Sequence, residues 1–512
     1  MLAVLRRYWP VVVATAVLLP HVRFFDFVTD DAYISFRYAV NLAEHGQLVF
    51  NLGERVEGFT NFLWTVLLAA GIKLGLGPVA TSRFFGVAFG VGNLVLVVRM
   101  SLRLSGQRPS AWHLVAPTLL ATTGAFACWC TGGLETQLFT FLSLLGFELL
   151  LSEIATQRGF ASAAAFALAA MTRPEGILFF GLGGFFRLLT AVGRERRLRP
   201  RRAEWAWIVL FAALFVPYFV WRWRYYGWPF PNTFYVKSSG GAGTFERGGY
   251  YVRRFAEDYG VPFFFLLALL GRPSAADQPR RDLWRLTALV WLVFAAYAVK
   301  VGGDFMGLYR FVLPVVPLGA VLVQESMRRL AQRLRPVVGW PVLTLAVAAV
   351  AVAFVAGSLR VSRTARTFIG ADNGIDTPGY LKKYAEDRIP VGQWFGKNAH
   401  PDDLMTVGGA GVIPYYSGIP AYDVFGLVDA HIAHDQHMSV SNRPGHEKWG
   451  SDAYMLSRNP TLITHKYCLP GPCGEEHGWI PTGYEWVNAA IPGPHPTTYS
   501  FLKRRDRSFG GY

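Results

Sequence analysis

The sequence predicts an all-α polytopic membrane domain followed by a C-terminal extracytoplasmic domain that is α/β or β-rich. Of its 512 residues, 52% are hydrophobic and only 16% are charged, whereas a soluble protein carries about a quarter charged residues. The apolar residues lie in runs of roughly 15 to 22, the length of helix that crosses a bilayer. Beyond residue 358 no such run occurs. We therefore predict domains at 1–358 and 359–512.

Basic clusters orient the predicted spans, because cytoplasmic loops of membrane proteins carry an excess of Lys and Arg. The net charge of +16 is explained in this way, and nucleic-acid binding is a poor alternative. If all twelve apolar segments cross, the clusters after the first outer loop face outward; if 61–77 instead lies at the outer interface, they face the cytoplasm. We predict the second arrangement, with about eleven spans, a cytoplasmic N-terminus and an outer C-terminal domain. The twelve segments are 8–25, 61–77, 83–98, 112–129, 134–151, 160–172, 176–192, 204–221, 259–271, 284–300, 308–325 and 338–358.

The C-terminal domain contains patterns of short strands and one pair of cysteines. Residues Leu404 to Val407 and Gly411 to Tyr416 are predicted strands, because β-branched and aromatic residues are bounded there by glycine. Cys468 and Cys473 flank a Leu-Pro-Gly-Pro turn. An outer location permits a disulfide, and two free thiols are the alternative.

Two adjacent carboxylates, Asp30 and Asp31, follow the first apolar segment. Like charges side by side repel, and lipid nearby screens them poorly. Such a pair indicates a general base, a divalent-cation site, or both. We therefore predict Asp30 and Asp31 as catalytic residues, and as metal ligands only if a divalent cation is used.

Ionisable residues apart from the basic clusters fall mainly in the predicted outer loops, where they indicate a shared cavity. Snorkelling side chains and loop ion pairs are the structural alternative for each residue taken alone. Cations suit a phosphate leaving group, and we predict that Arg173, Lys237 and Arg310 hold it. Polar and aromatic groups suit sugar hydroxyls and rings. The predicted sugar and acceptor residues are Arg37, Glu57, Asn61, Glu135, Asn232, Asp304 and Tyr309.

The motifs of the first outer loop resemble those of the GT-C superfamily of integral membrane glycosyltransferases. The resemblance rests on the stretch from Asp30 to Arg37, with 49–58 and 61–65 after it. These segments are most similar to the terminal arabinofuranosyltransferases of the mycobacterial cell wall and their bacterial relatives. Shorter matches at 133–136, 173–176, 231–233 and 303–304 extend the resemblance along nearly the whole chain.

The resemblance implies an inverting transfer from a polyprenyl-phosphate sugar to a cell-envelope glycan on the outer face of the bacterial plasma membrane. It implies that Asp30 or Asp31 is the base and that the first outer loop forms interfacial helices. Arabinofuranose is one candidate sugar, and mannose or another pentose is equally compatible. The competing hypotheses are a flippase of a lipid-linked sugar, a non-catalytic scaffold, and a related transferase such as a protein O-mannosyltransferase.

Overall fold

The computed structural model describes residues 2–106, 108–237, 243–435, 439–440, 448–474, 478, 480–493 and 496–508. Most of these residues are helical. Two short 3-10 helices lie at Ala111–Leu114 and Leu313–Val315. The α-helices, numbered α1 to α19 in chain order, are Leu2–Phe25, Asp30–His45, Phe62–Lys73, Pro78–Ser105, Val115–Thr122, Gly124–Cys128, Thr136–Thr156, Ser162–Thr172, Glu175–Gly193, Arg202–Tyr226, Asn232–Lys237, Thr244–Asp258, Val261–Leu270, Gln278–Lys300, Val316–Thr367, Pro378–Asn398, Val412–Ser417, Ala430–His434 and Asp452–Ser457.

Nine strands, all C-terminal to α15, form three sheets among the described residues. The central sheet has the order β4-β3-β7-β9-β8. Strand β3 is parallel to β4 and β7, and β9 is antiparallel to β7 and β8. This mixed sheet confirms the predicted α/β character, and Cys468 and Cys473 form a disulfide. Strands β1 to β9 are Ala371–Asp372, Ile375–Asp376, Met405–Val407, Ala421–Asp423, Ser439–Val440, Lys448–Trp449, Leu462–Cys468, Tyr484–Ile491 and Thr497–Arg504.

Internal contacts divide the chain into two units. Unit 1 comprises Met1–Phe27, Ser82–Trp221 and Gly243–Gly379; unit 2 comprises Val28–Thr81, Arg222–Ala242 and Tyr380–Tyr512. The first outer loop therefore belongs to the same unit as the C-terminal sheet. The predicted domains at 1–358 and 359–512 stay a prediction, although helix α15 continues past that boundary to Thr367.

Seven helical segments of the described chain are long and apolar enough to cross a membrane, as in a multi-pass membrane protein. They are Arg6–Phe25, Pro78–Ser105, Thr136–Thr156, Glu175–Gly193, Arg202–Tyr226, Gln278–Lys300 and Leu313–Thr367. Three further apolar helices, Phe62–Lys73, Ser162–Thr172 and Val261–Leu270, are shorter. Thus only some of the eleven predicted spans correspond to helices that are long enough to cross a membrane.

Helix α15 consists of two legs that run in opposite directions. Gln324 accepts a hydrogen bond from Ala116 N at the start of α5, and Ser358 donates one to Thr122 O at its end. If residues 324 to 358 formed one straight helix, its ends would be about 51 Å apart. Their partners on α5, residues 116 and 122, are only about 9 Å apart along that helix. The chain therefore turns back between them, at Gly339, whose φ of 74° is non-helical. The first leg overlaps the predicted segment 308–325 from Val316 onward, and the second leg contains most of the predicted segment 338–358.

The predicted segment 112–129 is not one helix. It breaks into a 3-10 turn, α5 and α6, with Thr123 in extended conformation. The Ser358 hydroxyl donates to Thr122 O and accepts from Gly124 N, so a side chain from another helix replaces the missing helical hydrogen bonds. Because the partner is distant in sequence, apolar run length alone does not reveal this break.

The basic clusters collect at one end of unit 1. Arg99 and Arg103 both pair with Glu148. Arg194 pairs with Asp282 at 2.9 Å, and Arg280 with Glu325 at 2.8 Å. Three further hydrogen bonds connect residues at this end of the unit. Arg194 donates to Ile154 O, Ser101 donates to Glu325, and Arg329 donates to Asp277. The charge pattern in the sequence therefore places these loops together, as predicted.

The two residues of unit 1 that flank segment 28–81, at positions 27 and 82, lie at the same end of that unit. Asp26, at the end of α1, pairs with Arg83 in α4 at 2.9 Å. The end of α1 and the start of α4 therefore lie close together. Its apolar helix Phe62–Lys73 has 12 residues, about 18 Å of helix against a hydrocarbon core of about 30 Å. Both observations support the prediction that 61–77 does not span.

Acid is expected to destabilise the C-terminal sheet through His465. This side chain lies on β7, 9% exposed, with Nδ1 2.7 Å from Thr406 Oγ1. Burial lowers the pKa of His465 to about 4, below the unfolded value of about 6.5. The unfolded chain therefore binds a proton first, and stability falls by up to about 3 kcal/mol as pH drops from 6.5 to 4. Thermal unfolding across this range, with His465→Gln beside the exposed His400→Gln, checks this. Equal acid sensitivity in both variants would contradict it.

Candidate active site

One charged cluster in unit 1 is centred on Arg173, which lies at the break between α8 and α9. Its Nη1 donates to Glu135 Oε1 at 2.8 Å. Its Nε and Nη2 donate to the two oxygens of Glu175 at 3.1 and 3.0 Å. Every nitrogen of the guanidinium is thus engaged. Glu135 and Glu175 also stand at the N-terminal ends of α7 and α9, where the helix dipole favours negative charge.

The loop after α14 carries the pair Asp304 and Arg310, with Arg310 Nε 2.8 Å from Asp304 Oδ2. Leu308 and Tyr309 have φ of 53° and 51°. Two consecutive non-glycine residues in the left-handed region store strain, which clusters at functional sites. Contacts hold the conformation, because the Tyr309 hydroxyl donates to Asp258 and Phe311 N donates to the Tyr251 hydroxyl at 3.2 Å.

Arg310 and Arg173 are bonded differently. Within the described part of the chain, Asp304 is the one hydrogen-bond acceptor of Arg310, and it takes only Nε. The guanidinium lies 5.3 Å from the ring centre of Trp129. The two Nη groups of Arg310 thus make no hydrogen bond within the described part of the chain, whereas the nitrogens of Arg173 donate to Glu135 and Glu175. Sequence alone does not distinguish these two arginines.

In unit 2, Asp30 and Asp31 begin helix α2. Asp30 is 9% exposed, and its Oδ1 accepts a hydrogen bond from Val412 N at 2.9 Å. Burial raises the pKa of Asp30, against the opposing effect of the Val412 amide and the Arg388 charge. Asp31 is partly exposed, whereas Asp30 and all eight residues from Ala32 to Ala39 are buried.

Arg37, two turns further along α2, is buried and surrounded by protein acceptors. Its Nε donates to Phe50 O at 2.8 Å, and its Nη2 donates to Ile419 O at 2.9 Å. Its Nη1 donates to Pro414 O. Burial lowers the pKa of Arg37 to about 10. These contacts join the first outer loop to the C-terminal part of the same unit.

Three other predicted residues of unit 2 are also buried among protein partners. Glu57 pairs with Arg222, whose Nε lies 2.8 and 3.0 Å from its two oxygens. Asn61 exchanges hydrogen bonds with Ser35 at 3.0 and 3.1 Å. Asn232 donates to the carbonyl oxygens of residues 426, 427 and 429, each at 3.3 Å. These side chains fix the loops around α2.

The structure therefore gathers the predicted residues into two sets, one in each unit. Unit 1 holds Glu135, Arg173, Asp304, Tyr309 and Arg310; unit 2 holds Asp30, Asp31, Arg37, Glu57, Asn61 and Asn232. Lys237 ends helix α11, and its side chain lies outside the described residues. Among the residues that the structure describes, no three His, Cys, Asp or Glu are grouped to hold a metal ion.

Residues of the C-terminal part that we did not predict lie beside Asp30. The Arg388 guanidinium lies 3.4 Å from the ring centre of Tyr384 and donates to the Tyr467 hydroxyl. Gly409 and Gly411 approach Asp30 so closely that a Cβ on Gly411 would stand 2.0 Å from Asp30 O. The glycine-rich stretch after β3 was the available signal, but no sequence pattern indicates its partner.

Two adjoining cavities lie in unit 1. The first, of about 530 Å³, is almost entirely apolar and is lined by helices α5, α13, α14 and α15, with Phe264, Trp291 and Phe354 among its residues. The second, of about 700 Å³, has a mixed polar and apolar lining that includes Asp258, Tyr309 and Arg360. Both are bordered by the second leg of α15 and by the end of α12. The strained loop contributes Leu308 and Tyr309 to the second cavity.

These features define a membrane protein with the GT-C glycosyltransferase fold. ArnT from Cupriavidus metallidurans, in its structure bound to undecaprenyl phosphate, matches with a TM-score of 0.58 and 13% identity, covering 96% of this chain and 97% of that one. The oligosaccharyltransferase AglB from Archaeoglobus fulgidus, in complex with an inhibitory peptide and a dolichol-phosphate, matches with a TM-score of 0.51 and 11% identity, covering 81% of this chain and 64% of that one.

The chain is also distantly homologous to terminal β-(1→2)-arabinofuranosyltransferases, which confirms the resemblance seen in its motifs. It is 29% identical over 326 residues to the enzyme of Mycobacterium tuberculosis, covering 54% of this chain and 49% of that protein. It is 28% identical over 348 residues to the enzyme of Corynebacterium glutamicum, covering 59% and 48%. The alignments thus span about half of each relative. A family model described as a domain of unknown function, DUF8728, matches residues 380–507.

Proposed function

We propose that this chain is an inverting membrane glycosyltransferase that moves a sugar, arabinofuranose first among the candidates, from a polyprenyl phosphate to a cell-envelope glycan. The observation that carries the proposal is the pair Asp30 and Asp31, placed at the start of the helix that follows the first membrane helix of a GT-C fold. The relatedness to arabinofuranosyltransferases supports the choice of sugar.

The proposed reaction needs one base and one site for the leaving group. A carboxylate of the Asp30–Asp31 pair takes the proton of the acceptor hydroxyl as its oxygen attacks the anomeric carbon. The bond from that carbon to the phosphate oxygen breaks, and polyprenyl phosphate leaves with the electron pair. A divalent cation would be held by these carboxylates, and a chelator in the assay decides whether one is required.

We propose that Arg310 binds the donor phosphate and that Arg173 instead holds the carboxylates of Glu135 and Glu175. The support is the bonding of each guanidinium, since only Arg310 keeps both Nη groups for a ligand. Lys237 remains a further candidate for binding the phosphate. Arg360 is another candidate, because it lines the cavity of about 700 Å³. The apolar cavity beside Trp291 would take the first isoprene units of the lipid.

The remaining predicted residues are all buried, and we divide them by the segment that carries them. Asp304 and Tyr309, on the strained loop, stay proposed contacts for the sugar, and Glu135 for its hydroxyls. Glu57, Asn61 and Asn232 are assigned to the scaffold, because their hydrogen bonds hold together the loops around α2. We also propose that residues 359–512 bind the glycan acceptor.

We further propose eleven crossings of the bacterial plasma membrane, with the N-terminus in the cytoplasm and the C-terminal residues outside. The basic clusters at one end of unit 1 support this orientation, because arginine-rich loops are retained on the cytoplasmic side. The cluster around Arg173 lies at the opposite ends of the same helices and would then face outward, where a glycan acceptor is found.

Filling the apolar cavity is expected to weaken donor binding. Ala288 lines this cavity on α14, whereas Ala296 on the same helix is exposed and does not line it. A tryptophan at 288 would occupy the space of several methylene groups, each contributing about 0.8 kcal/mol when buried. We expect Ala288→Trp to raise the Kd for polyprenyl phosphate at least tenfold, measured on purified protein in detergent, and Ala296→Trp to leave it unchanged. Equal affinity in both variants would contradict the assignment of this cavity.

A further inference from the structure

Helix α2 holds the segment 409–419 at two points. Asp30 accepts a hydrogen bond from Val412 N at 2.9 Å, and Arg37 donates to Ile419 O at 2.9 Å and to Pro414 O. Positions 30 and 37 are seven residues apart, so they share one face of the helix. Between them Tyr33 contacts Tyr415 and Tyr416, with ring centres 5.3 and 5.6 Å apart.

Glycine makes this close approach possible. A Cβ at position 411 would lie 2.0 Å from Asp30 O and 2.6 Å from Asp30 Cγ, and one at position 409 would lie 3.0 Å from Asp30 Oδ2. A Cβ added at Gly408, which precedes Gly409 in the chain, would have no other group within 4 Å. The backbone of the turn after β3 is therefore built around the Asp30 carboxylate.

Asp31 lies on another face of α2, one residue or about 100° around the helix. It is the one residue from Asp30 to Ala39 that is not buried. A carboxylate must reach the acceptor hydroxyl to act as a base, and of the two only Asp31 is partly open while Asp30 is enclosed by Val412 and Gly411.

We propose that Asp31 is the catalytic base, and that Asp30 and Arg37 are positioning residues that clamp α2 to the segment 409–419 so that Asp31 is held in place. This assignment rests on the proposed function. It gives the region of unknown function at 380–507 a part in the catalytic unit, because that region supplies the turn that receives Asp30 and the Arg388 charge that faces it.

Substitutions in the turn and at Asp30 separate positioning from catalysis. Asparagine at position 30 keeps an oxygen that accepts from Val412 N, whereas alanine does not. We expect Asp30→Asn to retain kcat within about tenfold, and Asp30→Ala and Gly411→Ala to lower it by about 10–100-fold through misplacement of the base. Donor Kd should not change, and Gly408→Ala should match the wild type. Asp31→Asn should lose transfer.

Two outcomes would overturn the proposal: loss of transfer in Asp30→Asn with retention in Asp31→Asn, or an unchanged kcat per folded molecule in Gly411→Ala. A readout independent of transfer is hydrogen exchange of the Val412 amide, which should speed up in Asp30→Ala and stay slow in Asp30→Asn. If the wild type transfers no sugar but the variants show this exchange pattern, the proposed function is wrong, whereas the proposed clamp between α2 and segment 409–419 is supported. If exchange is identical in all variants, the clamp itself is contradicted.

Discussion

Replacing Asp31 by asparagine is expected to lower kcat for sugar transfer by about 10²- to 10⁴-fold, the range that a general base contributes. The substitution keeps the size of the side chain and removes its capacity to take a proton. Because Asp31 is partly exposed at the start of α2, the fold and the donor affinity should be retained. Steady-state transfer with a lipid-linked sugar, together with donor binding on the same preparations, measures both quantities.

Asp26→Asn is the matched control for this experiment. Asp26 is a carboxylate close in the chain, with its side chain 53% exposed in a pair with Arg83. Exposed ion pairs contribute about 0–1 kcal/mol, so transfer by this variant should equal that of the wild type. Retention of transfer in Asp31→Asn, within a factor of three, would show that Asp31 is not the base.

Arg310 and Arg173 are expected to respond to substitution in opposite ways. Arg310→Gln should weaken donor binding by about 1.5–3 kcal/mol, the contribution of hydrogen bonds to a charged group, which is roughly 10- to 150-fold in Kd. Arg173→Gln should instead destabilise the fold by about 3–5 kcal/mol, because two buried carboxylates, Glu135 and Glu175, lose their shared partner. Donor titrations and thermal unfolding of both variants separate the two effects.

One combination of results would contradict the roles assigned to Arg310 and Arg173. If Arg173→Gln folds normally and loses donor binding while Arg310→Gln binds the donor as the wild type does, the assignments are exchanged. Removing Glu135 and Glu175 together with Arg173 should recover part of the lost stability, because no unpaired charge then remains in the cluster.

Charge patterning predicted that the basic clusters lie together, because it depends on composition and not on contacts. The basic clusters near residues 99, 194, 272 and 328 were expected on one side, and ion pairs now join them at one end of unit 1. The same argument predicted that 61–77 does not cross, which agrees with its 12-residue helix. Helix lengths were less predictable, because side chains from elsewhere, such as Ser358, permit breaks within apolar runs.

The prediction that Gly411 to Tyr416 forms a strand is wrong. Its β-branched and aromatic residues favour a strand, yet 412–417 is helical. The Asp30 carboxylate accepts the hydrogen bond of Val412 N at the start of this helix, and Arg37 contacts Pro414 O near its end. Tertiary contacts from a residue 382 positions away thus override local propensity.

Hydrogen-bond partners distinguish the predicted site residues more sharply than residue type does. Glu57 and Arg37 have the chemistry to bind a sugar or a phosphate, yet their partners are Arg222 and the carbonyl oxygens around α17. Glu57 and Arg222 are 165 positions apart, a pairing that no local pattern indicates. The sequence therefore identified the regions that build the site, and the contacts identified which members remain for the substrate.

Transfer from defined lipid-linked donors tests the central claim most directly. Purified protein is incubated with an acceptor glycan and with polyprenyl-phosphate arabinofuranose, mannose or another pentose, with and without chelator, beside Asp31→Asn. The account predicts product from one donor, with inverted anomeric configuration, that is absent with Asp31→Asn. Folded wild-type protein that binds polyprenyl phosphate but forms no product from any donor would contradict it.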